Sequence, residues 1–82
     1  MKPTNKKDAQ AVQACRERIA ALALDATVDE VIAAVAPLPA RLWLVVDNEI
    51  GNGSSRYGMR GHLVRRVRNC PTNGPRMFAA MK

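Results

Sequence analysis

The sequence predicts an α+β domain: two N-terminal helices packed on an antiparallel β-hairpin, with room for a short third strand at the C-terminus. Three observations point there. Residues 6–36 carry apolar residues at helical spacing and contain a capping box. Two runs rich in Val, Leu, Ile, Trp and Tyr, RLWLVVDNEI and YGMRGHLVRRVR, flank the connector GNGSSR. Within that connector, Gly51, Asn52 and Gly53 tolerate the positive φ that a hairpin turn often needs.

The chain is short enough to be one domain. It divides into a polar tail (residues 1–5), a helical half (6–36) and a hairpin with a basic C-terminal half (40–82). Asn5 is placed to cap the first helix, with Asp8 three residues on, near the positive helix end. The helix is expected over KKDAQAVQACRERIAALALDA, where Val12, Cys15, Ile19 and Leu22 form an apolar stripe. Thr27 and Glu30 make the capping box that opens a second helix, Val28 to about Ala36, with Val28, Val31, Ile32 and Val35 inward. Pro37 and Pro39 end it, since proline lacks an amide and its predecessor avoids helical angles.

The hairpin follows. With its turn between Gly53 and Ser54, Leu44 faces Leu63, Val46 faces Gly61 and Ile50 faces Tyr57, so one face is apolar. Asn48 and Arg65 are the misfits on that face. The other face sets Asp47 opposite Arg60, Val45 opposite His62, Trp43 opposite Val64 and Arg66 opposite Arg41. Helices over Pro39–Ile50 and Gly61–Asn69 are the rivals. The β-branched pair Val45–Val46, and the acids Asp47 and Glu49 near a negative helix end, count against the first. The segment NCPTNGPR reads as a turn-rich linker. MFAAMK is expected to pack Met77, Phe78 and Met81 on the hairpin, as a third strand or a single helical turn.

Charge is distributed unevenly. The first forty-nine residues hold six bases and seven acids, whereas residues 50–82 hold six arginines and Lys82 and no acid. A basic half of this kind suits an acidic partner. Chemistry for catalysis is sparse. His62 is the only histidine, no zinc-type His pair or nucleophile elbow occurs, and a Cys70–His62 pair would need the fold to join them. Gly51 and Gly53 do not extend to a phosphate-binding fingerprint, because Arg56 stands where the third glycine belongs. No cofactor and no metal are expected. Cys15, on the helical stripe, reads as a small buried hydrophobe, while a Cys15–Cys70 disulfide is left open. No signal-length apolar run and no membrane-spanning stretch is present, so a soluble, cytoplasmic protein is expected.

The functional expectation is therefore a non-enzymatic, small basic binding module. Its C-terminal arginines engage nucleic acid or a nucleoprotein, with Arg41, Trp43, Arg56, Arg60, His62, Arg66, Arg68 and Arg76 as the binding residues. Burial of Trp43 against Phe78 and Met77 is the alternative for that side chain. The alternative function is a small phage- or mobile-element-type regulator or inhibitor that docks its basic face on a large host protein complex. A homodimer would enlarge so small a core.

Overall fold

The computed structural model describes residues 5–82 and is all-helical among them, which overturns the α+β expectation. Five α-helices follow in order: α1 (Lys6–Ala20), α2 (Val28–Val35), α3 (Trp43–Gly51), α4 (Gly61–Asn69) and α5 (Asn73–Ala80). Short 3₁₀ segments at Ala40–Leu42 and Ser55–Arg60 lead into α3 and α4. Apart from Asn5, the expected polar tail lies outside the described residues.

The N-terminal helices form where their caps place them. The Asn5 side chain accepts from the Asp8 amide at 2.8 Å. The Thr27 hydroxyl accepts from the Glu30 amide at 3.2 Å, and Glu30 returns a bond to the Thr27 amide at 3.3 Å. Helix α1 stops at Ala20, six residues short of the expected run, and Leu22 packs half-buried beyond its end. Val12, Cys15 and Ile19 are fully buried along α1, and Val31, Ala34 and Val35 are buried on α2.

The segment expected as the first hairpin strand is helix α3, for reasons that lie outside the segment. Trp43, Val46 and Ile50 recur at spacings of three and four and are all buried, as is Val45. Burial of a complete apolar face outweighs the small helix penalty of two valines. The acids near the negative helix end are answered by other elements. Arg68 pairs with Asp47, and Glu49 receives Arg16, Arg56 and Tyr57. The connector ends α3 instead of turning a hairpin. Gly53 takes φ 73°, its amide donates to the Ile50 carbonyl at 3.1 Å, and the Ser54 amide reaches back to Glu49 O at 3.0 Å. This is a Schellman closure, with Gly53 at the left-handed position.

The second expected strand is helix α4. Leu63, Val64 and Val67 are all buried, although on a strand Leu63 and Val64 would point to opposite faces. The proposed register is lost with the hairpin. Leu44, expected inward, is exposed, as is Met59, and Asp47 pairs with Arg68 in place of Arg60. The C-terminal segment is not a strand either. Asn73 and Gly74, read as turn residues, open α5, and Pro75 sits in its first turn, where its missing amide is tolerated. Gly74 allows α5 to press on α4: a Cβ there would lie 2.3 Å from the Arg68 carbonyl oxygen.

The buried side chains form one cluster drawn from all five helices. Trp43 meets Phe78 edge to face, with ring centroids 5.6 Å apart. The tail crosses back over the α2–α3 linker, where the Ala40 amide donates to Lys82 O at 2.7 Å and the Lys82 amide to Leu38 O at 3.3 Å. No described helix is long and apolar enough to cross a membrane.

Candidate functional site

Most of the basic residues singled out from sequence are bonded within the fold. Arg41 donates from both terminal nitrogens to the carboxylate of Asp8, each at 2.7 Å, and ties the start of α3 to the first turn of α1. Those hydrogen bonds hold the Asp8 carboxyl below its usual range. Arg60 donates from Nε to the Leu22 carbonyl at 2.9 Å, capping the backbone after α1. Arg68 is bound to Asp47, Arg56 to Glu49 at 2.8 Å, and Arg76 to Asp29 at 2.9 Å. Trp43 is 8% exposed and belongs to the core. The outward hairpin face expected to gather Arg41, Trp43, Arg60, His62, Arg66 and Arg68 therefore does not form, because the hairpin does not. Its Arg60–Asp47 pairing is replaced by two separate structural contacts.

What remains is the solvent face of α4. His62, Arg65, Arg66 and Asn69 are exposed, and their spacing of three and four places them on one side of the helix, opposite Leu63, Val64 and Val67. Among the described residues, none of His62, Arg65 and Arg66 is hydrogen-bonded or paired with an acid through its side chain. The two acids of α3 do not neutralise this face, since Arg68 occupies Asp47 and three donors occupy Glu49. Of the expected binding set, His62 and Arg66 thus lie together, and Arg65 joins them. Arg65 falls outside the expected set because on a strand it is a misfit on the apolar face. The signal was the same misfit: at helical spacing Arg65 falls in line with His62, Arg66 and Asn69.

Beside this face runs a shallow open groove of about 260 Å³. It is lined by Ile50 and Gly53 of the α3 end, by Ser54, Gly58 and Met59 of the segment that follows, and by Gly61, His62 and Arg65 of α4. Gly58 makes the groove's bend, with φ 56° and ψ −140°, a backbone region open in practice only to glycine. Met59 is 70% exposed at the rim.

The thiol–imidazole pair considered from sequence is not brought together. Cys70 follows the last turn of α4 and His62 lies in its first, about 12 Å apart by helical rise. Cys15 and Cys70 are both free, and burial pushes the Cys15 thiol up. Among the described residues no group of three or more His, Cys, Asp or Glu side chains converges as a metal site. Compared with protein-family models, with curated proteins and with solved structures, the chain matches none.

Proposed function

We propose that the protein is a small binding module without catalytic chemistry of its own, which docks the outer face of α4 on an acidic surface of a larger protein assembly. The observation that carries this reading is the selective release of charge. Arg41, Arg56, Arg60, Arg68 and Arg76 are bonded inside the fold, while His62, Arg65 and Arg66 stand together on one helix face with no acid bound to them. Two features favour protein over nucleic acid as the partner. Trp43 and Tyr57 are buried and Phe78 packs on Trp43, so no free aromatic pair is offered for base stacking. The exposed Met59 beside His62 and Arg65 mixes apolar with basic surface, as protein interfaces do. A reducing, cytoplasmic setting fits two free thiols.

Nucleic acid is the second reading, favoured by the adjacent Arg65 and Arg66 and by the exposed head groups of Arg41 and Arg56, which phosphate could draw away from their acids. The test is capture from a natural host lysate, with and without nuclease, by the native protein and by an Arg65→Glu/Arg66→Glu variant. It is paired with a salt titration against a duplex oligonucleotide. The docking reading expects the same protein partners after nuclease, their loss with the variant, and duplex binding no steeper in salt than about two phosphates, a log–log slope near −1.8. Partners lost to nuclease, with a much steeper slope, would establish the nucleic-acid reading instead.

A further inference from the structure

We infer that the groove between the Gly53–Ser54 turn and α4 is a peptide-anchoring site: it takes one aliphatic side chain of an acidic segment and lays the neighbouring carboxylate on Arg65 and His62. This rests on the docking reading and names what the partner presents there.

The occupant follows from the lining. Ile50, Met59 and the α-carbons of Gly53, Gly58 and Gly61 provide an apolar trough, and Ser54, His62 and Arg65 are its only polar side chains. A bare anion would leave the trough unfilled, and an uncharged apolar group would leave the guanidinium of Arg65 unused. At about 260 Å³ the space falls below the roughly 300–1,000 Å³ of small-molecule sites and suits a single side chain with its flanking backbone. Glycine at three lining positions lets a partner backbone approach closely. The acids nearest in sequence, Asp47 and Glu49, are already bound to arginines, so an incoming carboxylate meets two basic groups and no free acid of α3. Arginine offers a planar fork that matches a carboxylate, and the His62 ring adds an N–H donor on the same lining.

The experiment is an NMR titration of the full chain with two blocked pentapeptides, acetyl-Glu-Glu-Leu-Glu-Glu-amide and the same peptide with serine for leucine. Inorganic phosphate and a duplex oligonucleotide are run alongside. The leucine peptide is expected to shift the amides of Gly53, Ser54, Gly58 and His62 saturably, with a dissociation constant on the order of 1 mM, and the serine peptide to bind at least fivefold more weakly. Met59→Asp alters the groove at an exposed position and should abolish the leucine preference, whereas Arg66→Glu, outside the groove lining, should preserve it. Equal binding of both peptides, or shifts confined to the outer face of α4 and lost only with Arg66→Glu, would overturn the groove while leaving the docking reading standing. Saturable groove shifts with phosphate or duplex at lower concentration than with peptide would overturn the peptide assignment. Tight duplex binding through Arg65 and Arg66, with no peptide binding at all, would remove both.

Discussion

Arg16 in α1 donates from Nε to Oε1 of Glu49 in α3 at 3.0 Å, across thirty-three residues of sequence, and its second nitrogen binds the other carboxylate oxygen. The same carboxylate accepts the Tyr57 hydroxyl at 2.6 Å and Arg56 at 2.8 Å. Glu49 therefore holds α1, α3 and the Ser55–Arg60 segment at one point. Replacing it by glutamine leaves the buried side of Arg16 without its charge partner. Glu49→Gln should cost about 2 kcal/mol, a drop in Tm of roughly 10 °C for a domain of this size. Tyr57→Phe, which removes one hydrogen bond from a fully buried ring, should cost about 1 kcal/mol. Thermal melts followed by circular dichroism check both. Equal and negligible shifts would mean that the junction adds nothing to the fold.

Three glycines should respond in three ways. Gly74→Ala sets a methyl carbon 2.3 Å from the Arg68 carbonyl oxygen, so α5 must move off α4, at a cost of about 2–3 kcal/mol. Gly53→Ala forces a side chain into left-handed backbone at φ 73° and should cost about 1 kcal/mol. Gly51→Ala places its methyl group in open space at the last turn of α3 and should stabilise by about 0.5 kcal/mol. Denaturant midpoints at constant m-value would rank the three. A neutral Gly74→Ala would show that the α4–α5 contact is looser than its geometry.

The first half of the fold was legible because its signals are local. The Asn5 cap, the Thr27–Glu30 box and the Val12–Cys15–Ile19 stripe each lie within one helix, and each forms as read. The second half turned on partners distant in sequence. Val45, Val46, Asp47 and Glu49 favour a strand only as long as Arg16, Arg68 and Tyr57 do not pair with the two acids, and in the fold they do. Glycine between two apolar runs suits a hairpin turn and a Schellman helix end equally. The candidate site was legible in part. His62 and Arg66 were among the residues singled out, though for a strand face that does not form, Arg65 was hidden by the wrong period, and the groove exists only once α3 and α4 pack side by side.

Stability should fall at both ends of the pH scale. Burial pushes the Glu49 carboxyl up, but hydrogen bonds from Arg16 and Tyr57 outweigh it and hold it below its ordinary 4.5. Asp8 is held below its ordinary 3.8 by hydrogen bonds from Arg41. Groups with depressed folded values contribute stability above their unfolded values and lose it as pH falls through the folded ones. Burial, and then Glu49, push the Tyr57 phenol well above its ordinary 10.0, so its contribution is intact below that value and is lost as pH rises beyond it. Tm measured across pH should be flat in the middle, fall below about 4.5 and fall again above about 10. Glu49→Gln should flatten the acid limb and Tyr57→Phe the alkaline one. An acid limb unchanged by Glu49→Gln would place its titration elsewhere.

Arg60 and Arg66, six residues apart, should separate stability from binding. Arg60 is half-buried and donates from Nε to the carbonyl of Leu22, a backbone acceptor beyond the end of α1. Arg60→Ala leaves that carbonyl without its charged donor and strips packing from the loop, at a cost of about 1 kcal/mol. Arg66 is exposed on the outer face of α4, and no side-chain partner for it is seen among the described residues. Arg66→Ala even favours the helix slightly, since alanine is the best helix former, so its Tm should stay within a degree or two of the native protein. Binding should show the reverse order. With its partner captured, Arg66→Ala should weaken the complex several-fold, and Arg60→Ala should leave the affinity of the folded fraction unchanged. Side-by-side melting and binding curves decide it. A stable Arg60→Ala with lost binding would return Arg60 to the contact surface, and an Arg66→Ala that binds at full strength would leave Arg65 and His62 to carry the α4 face alone.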